Sequence, residues 1–237
     1  MALVGGYQPG MRQTVTAVAV AAAVVLAGAP ADLASARTGT APSTPAAMHV
    51  AKKPVEFSGG RARNAKLSIP AVGIRRLQVV AYRGKTDDGP GTRIQNRGIA
   101  ASPYGPHGGI GPGGIGNYQI TAHRTSHGGV FRHTPSLDKG DKVFIDAGPW
   151  RYVYKIIKTR WVSFRSAKSL REQRAPVPGK PGRKPHRGYL TLSTCATPED
   201  HAVGNFWHDR FGNPEHRIDK IGLLVRRLPN PYVERPG

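Results

Sequence analysis

Cys195 is the only cysteine of the chain. A single thiol forms no internal disulfide and excludes a multi-cysteine zinc or iron–sulfur site. It ends the segment Tyr189-Leu-Thr-Leu-Ser-Thr-Cys195, where Leu190 and Leu192 alternate with Tyr189, Thr191, Ser193 and Cys195. That alternation is a strand with one apolar face, so the thiol stands at a strand mouth beside a long loop, within reach of a substrate. The alternative is a buried, inert thiol. An ordinary thiol, with a pKa near ~8.5, is mostly protonated at neutral pH, so a nucleophilic Cys195 needs a base or imidazolium partner. His123 closes the strand-like stretch Tyr118-Gln-Ile-Thr-Ala-His123; His186 sits in a basic loop; His201, His208 and His216 follow the cysteine. Spacing alone does not choose among them. Acyl transfer also needs a group for the developing oxyanion, and arginine stays charged and offers several donors. Arg217 directly precedes the last strand. If that strand runs antiparallel to the cysteine strand, Arg217 begins where Cys195 ends. Arg210 is its rival.

The elements that must carry these residues are short apolar runs separated by glycine and proline. Residues 65–69, 77–82, 118–122, 142–146, 152–162, 189–194 and 221–227 are rich in Val, Ile, Tyr, Thr and Phe and read as strands. Only residues 166–173 suggest a helix, and a short one. This pattern predicts an all-β fold, a barrel or sandwich. Two joints are long. Residues 163–188 hold eight Lys and Arg against Glu172 alone, and residues 196–216 hold Phe206, Trp207 and Phe211. Those aromatics either line a groove or pack the loop onto the barrel; packing is the expectation. Glu199, Asp200 and Asp209 have poor spacing for a Ca²⁺ loop, and no metal ligand is assigned.

The chain has 237 residues, with 35 Lys and Arg against 14 Asp and Glu, a formal charge of +21. Residues 13–31 are uncharged and rich in alanine, Arg12 precedes them, and Ala34-Ser35-Ala36 fits a cleavage site. Residues 1–36 therefore read as a signal peptide or an N-terminal membrane anchor. Residues 37–62 read as a flexible Ala/Pro/Ser/Thr-rich spacer, and residues 63–237 as the functional domain. Either reading of the leader places that domain outside the cytoplasmic membrane. Nucleic acid is then an unlikely partner for the charge, and anionic wall polymer or lipid headgroups are nearer candidates, but a generally basic solvated surface without a defined ligand is the expectation.

Three stretches together resemble the sortase family of Gram-positive surface transpeptidases. Thr191-Leu-Ser-Thr-Cys195 is similar to the family's nucleophile motif. Gly116-Asn-Tyr-Gln-Ile-Thr-Ala-His123-Arg124, with Lys139-Gly-Asp-Lys-Val143 behind it, resembles the histidine strand. Arg217-Ile-Asp-Lys-Ile-Gly-Leu-Leu-Val225 resembles the arginine strand, and Leu67-Ser-Ile-Pro-Ala-Val-Gly-Ile74 the opening strand. The proline-rich run at 176–185 is similar to the actinobacterial class often called E. Ala122 stands where the family usually has a smaller residue before the histidine, and the stretch between Cys195 and Arg217 is longer than usual. The resemblance implies a closed β-barrel of about eight strands with short helices and long loops. It implies Cys195 as nucleophile, His123 as acid and base, and Arg217 as oxyanion stabiliser, with Ser193 and Thr194 as substrate-binding neighbours. It further implies a surface protein bearing a Leu-Pro/Ala-x-Thr-Gly motif as donor, a peptidoglycan or lipid-linked precursor amine as acceptor, and no cofactor. An exported cysteine peptidase with the same three residues, and a basic wall-binding module with an inert Cys195, are the rival readings.

Overall fold

The computed structural model describes residues 54–233. The predicted leader, 1–36, and the spacer up to residue 53 lie outside the described residues. β1 (Ala65–Ile69) obeys its alternation: Ala65, Leu67 and Ile69 are buried, while Lys66 and Ser68 are half-exposed. β2 (Ile74–Arg83), α1 (Gly89–Gln95), β3 (Ala100–Tyr104) and β4 (Gly116–Thr121) follow. Then come β5 (Lys142–Ala147), β6 (Trp150–Ser163), α2 (Ala167–Arg174), β7 (Gly188–Cys195), α3 (Thr197–Ala202) and β8 (His216–Pro229). The strands close into a barrel in the order β1-β2-β3-β4-β7-β8-β6-β5, the all-β architecture expected from the turn-rich pattern. Closure leaves no unpaired sheet edge.

Two neighbouring pairs are parallel, β2 with β3 and β4 with β7. Parallel neighbours need a long crossover. α1 supplies the first, and β5, β6 and α2 together supply the second. The interior is filled by alternate residues, among them Leu67, Ile69, Val79, Ile120, Val143, Ile145, Leu190, Leu192 and Leu224. The expected strands all form. β8 starts earlier than the apolar run suggests, so Arg217 lies within the strand and not ahead of it. β3 and α1 escape the sequence reading because Ala-Ala-Ser-Pro-Tyr and Gly-Pro-Gly-Thr-Arg-Ile-Gln carry turn residues. Small side chains on β3 leave room for α1, which packs against it.

Residues 54–62, assigned to the spacer by composition, are docked on the barrel. Ser58 donates from its backbone N to Gly113 O (2.8 Å) and from Oγ to Pro112 O (2.7 Å), and Gly111 N donates to Gly60 O (2.8 Å). Val55 and Phe57 pack against the core, and Glu56 pairs with Arg227. A Cβ on Gly111 would lie 1.9 Å from Arg61 O, whereas one on Gly59 meets nothing within 4 Å. Gly111→Ala is therefore expected to destabilise the protein by about 1–3 kcal/mol, the range for overpacking, and to expose residues 54–62 to protease. Gly59→Ala should change neither. Thermal denaturation and limited proteolysis check both.

Candidate active site

β4 and β7 run side by side, with Asn117 opposite Tyr189 and Thr121 opposite Ser193. Continued past Thr121, this register brings His123 toward the end of β7, and Ala122 N still donates to Ser193 O (3.4 Å). On the other side of β7, β8 pairs antiparallel with Cys195 directly opposite Arg217. Three residues distant in sequence thus gather at one end of three adjacent strands.

Arg217 is 2% exposed. Nη1 donates to Cys195 Sγ, and Nη2 donates to Asn213 Oδ1 (2.7 Å). Nε lies 3.3 Å from Asp87 Oδ2, an ion pair without the alignment of a hydrogen bond. The guanidinium also stacks 4.8 Å from the Phe164 ring. Burial opposes its charge, but Asp87 and Cys195 outweigh burial and raise its pKa. Arg210, the rival, is exposed and sits 4.7 Å over Phe211.

His123 places Nε2 2.7 Å from Asn96 Oδ1 and stacks on His127 with centroids 4.9 Å apart. With Oδ1 facing Nε2, that nitrogen carries the proton in the neutral ring and Nδ1 is the free base. Burial, then the neighbouring His127, then Arg217 pull its pKa below the ordinary imidazole range; Asp87 acts against them. The ring is therefore mainly neutral at neutral pH. Among the other candidate histidines, His216 is held by Asp200, at 2.6 Å from Nδ1.

Ser193 and Thr194 precede Cys195, and both are 2% exposed. Thr194 turns to the core side and donates to Ala122 O (2.9 Å), tying β7 to β4. Ser193 lies under Gln173, whose Nε2 donates to Ser193 Oγ (3.2 Å) and reaches both oxygens of Asp219 (3.1 and 3.2 Å). Asp219 is fully buried, and its pKa is pushed up to about 6, mainly by desolvation. A carboxyl raised in the folded state binds its proton more tightly there than when unfolded. Stability should thus fall as pH rises from about 4 to 6 and stay lower above that, by about 3 kcal/mol. Asp219→Asn keeps an acceptor for Gln173 and removes the ionisation. It is expected to raise the melting temperature at pH 8 and to flatten that stretch of the pH–stability curve; an unchanged curve would count against this account.

The 196–216 loop is held by polar ties. Arg124 forks onto Glu199, with Nη2 donating to Oε1 at 2.8 Å, and its Nη1 also donates to Cys195 O (3.2 Å). Asp200 accepts from His216 N, and Asp209 accepts from Asn213 N and Nδ2. Glu199, Asp200 and Asp209 thus each accept from a protein donor. Of the three aromatics expected to pack the loop down, Trp207 is half-buried, whereas Phe206 is 65% and Phe211 41% exposed. Hydrogen bonds fix the loop, so Phe206 and Phe211 are free to stay outside.

Asp87, Asn96 and Asn213 were not singled out in the sequence. A signal existed for Asp87. In Thr86-Asp-Asp-Gly-Pro90 one acid is explained: Asp88 caps α1, accepting from Gly91 N (2.9 Å). The second is left over, and it turns inward to Arg217.

A family model described as the Sortase domain matches residues 67–210, which includes Cys195 and His123 and stops short of Arg217. Sortase SrtE1 of Streptomyces coelicolor is 36% identical over 84 residues, 35% of this chain and 23% of that protein. Sortase SrtE2 of the same organism is 34% identical over 80 residues, 34% of this chain and 30% of that protein. The matched segments thus span less than a third of these curated relatives. Among solved structures, the SrtA sortase from Actinomyces oris superposes with a TM-score of 0.53 at 22% identity, covering 79% of this chain and 93% of that one. Sortase E1 from Streptomyces coelicolor, solved with a tripeptide in its active site, gives 0.53 at 21% identity, covering 76% and 98%. At such identities the structures speak for the fold alone. The family match runs from β1 through the nucleophile strand, over more than half of the sequence, and the chain belongs to the sortase family.

Proposed function

We propose that this chain is a sortase transpeptidase that cleaves a Leu-Pro/Ala-x-Thr-Gly type motif between Thr and Gly and joins the Thr carboxyl to an amine. The observation that carries it is the contact of the buried Arg217 guanidinium with Cys195 Sγ at the ends of β7 and β8, with His123 at the end of parallel β4.

Cys195 gives its proton to His123 and attacks the Thr carbonyl carbon. The carbonyl electrons move to oxygen, and the Arg217 Nη1 donor, released from the thiol, stabilises that charge. As the C–N bond breaks, His123 passes the proton to the departing Gly amine. A thioacyl-enzyme remains. The acceptor amine attacks it, loses its proton to His123, and expels the Cys195 thiolate, which takes the proton back. His123 begins mainly neutral, as this sequence of transfers requires. The donors are surface proteins with a C-terminal sorting motif, and the acceptor is a peptidoglycan or lipid-linked precursor amine. The site of action is extracytoplasmic, at the membrane or wall of a Gram-positive cell, with the N-terminal segment as leader or anchor.

The test uses the full chain with Leu-Ala-x-Thr-Gly and Leu-Pro-x-Thr-Gly peptides, with and without an amine acceptor, followed by mass spectrometry. The expected result is a Cys195 acyl adduct and a ligated product, both lost in Cys195→Ala, with ligation lost in His123→Ala. Free acid as sole product under excess acceptor would favour a peptidase. No adduct with either peptide would overturn the reading.

A further inference from the structure

The ladder between β4 and β7 ends just short of the residues that react. Thr121 pairs with Ser193, Ala122 N donates to Ser193 O (3.4 Å), and Thr194 Oγ1 donates to Ala122 O (2.9 Å). At His123 the backbone leaves β7, because its carbonyl accepts from Phe131 N (3.0 Å) in its own loop. The next link between the two chains is a side chain. Arg124, the residue after His123, donates from Nη1 to Cys195 O (3.2 Å). The same guanidinium forks onto Glu199: Nη1 meets Oε2, and Nη2 donates to Oε1 (2.8 Å). Both side chains are half-buried. The fork holds the Glu199 carboxyl below the usual carboxylate range, so the pair is ionised at neutral pH.

Glu199 is a firm anchor for this fork. It lies in the first turn of α3, which begins at Thr197, directly behind the nucleophile strand. α3 is in turn fastened to the residue before Arg217. Ala196 N donates to His216 O (3.0 Å), and Asp200 accepts from His216 N (3.1 Å) and lies 2.6 Å from His216 Nδ1. One frame of β7, α3 and β8 therefore carries Cys195 and Arg217, and Arg124 fastens the His123 segment to it. We infer that Arg124 and Glu199 are positioning residues that hold His123 in register with Cys195 and Arg217, an inference that rests on the transpeptidase reading above. The contact with Cys195 O distinguishes this from a tie that only holds the 196–216 loop. A loop tie needs Glu199 alone, whereas this guanidinium also grips the backbone of the nucleophile. A bidentate fork fixes direction as well as distance, and proton transfer between Cys195 and His123 requires both.

The experiment measures kcat and KM for ligation by the full chain, beside melting curves, in Arg124→Gln, Arg124→Lys, Glu199→Gln and the variant that combines Arg124→Gln with Glu199→Gln. Arg124→Gln is expected to lower kcat by about 10²-fold, the scale of a misplacement of about 1 Å, with KM changed by no more than about twofold. An ion pair partly open to water adds little stability, so the melting temperature should stay close to native. Arg124→Lys keeps the charge without the fork and should fall in between. Glu199→Gln should also lower kcat, and the combined variant should be no worse than Arg124→Gln, because both substitutions remove one shared device. Arg151→Gln is the comparator. It breaks a similar fork, onto Asp146 (2.6 and 2.8 Å), at the end of β6 away from the site, and should cost stability while kcat stays native. Native kcat in both Arg124→Gln and Glu199→Gln would overturn this inference and leave the transpeptidase standing. So would a loss of kcat no greater than the loss of folded protein at the assay temperature, which is what a merely structural tie predicts. No ligation by the unsubstituted chain would overturn the transpeptidase, and this inference with it.

Discussion

Arg217→Lys is expected to lower kcat/KM for ligation by about 10²–10³-fold, the cost of losing one oxyanion donor, while the protein stays folded. The charge survives, so Asp87 keeps a cation to face. What is lost is the fork. Arg217 spreads its nitrogens over three partners at once, Cys195 Sγ, Asn213 Oδ1 and Asp87 Oδ2. A single ammonium group reaches one or two of these and also gives up the stacking on Phe164. Because the donor acts mainly on charge that develops in the transition state, the loss should fall on kcat more than on KM. Steady-state kinetics beside a melting curve and the alkylation rate of Cys195 separate the possibilities. A retained melting temperature, an alkylatable thiol and a collapsed kcat support the assignment. A variant with native kcat would remove Arg217 from the chemistry.

What the sequence disclosed follows from how its signals arise. The alternation in Tyr189-Leu-Thr-Leu-Ser-Thr-Cys195 places the thiol on the polar face, and the structure puts Leu190 and Leu192 in the core. The antiparallel condition on Arg217 was a statement about register, and β8 meets it residue for residue with Cys195 opposite Arg217. His123 was narrower: its strand was visible, but choosing it over the other histidines needed the parallel pairing of β4 with β7 or a family resemblance. β3 stayed hidden because it is selected for smallness beneath α1, and small residues with a proline look like a turn. Asp87 stayed hidden because its value lies in a partner 130 residues away. No local pattern encodes such a pair. The exposed aromatics at Phe206 and Phe211 mark the opposite error, in which apolar composition is taken for burial.

Asp87→Asn and Asp87→Ala are both expected to weaken the protein, and the difference between them separates charge from backbone. Asp87 holds a left-handed conformation, φ 56°, that Asn tolerates and Ala does not. Its side chain is 4% exposed and faces an Arg217 side chain that is 2% exposed. Removing one member of such a buried pair leaves the other charge without compensation, at a cost of about 3–5 kcal/mol. For a domain of this size that lowers the melting temperature by roughly 10 °C. Asn bears this cost alone, and Ala adds about 1–2 kcal/mol for the strained backbone. The catalytic readout is distinct from stability. Asp87 is the group that holds the His123 pKa up against burial, His127 and Arg217. Without its charge the imidazole becomes still harder to protonate, so the His123 limb of the pH–kcat/KM profile should move to lower pH in both variants, equally in Asn and Ala. A merely structural Asp87 predicts lost stability with an unmoved limb, because the fraction that remains folded would titrate as before. A limb that moves in Ala alone would trace the effect to the backbone of the 84–88 segment and not to the carboxylate.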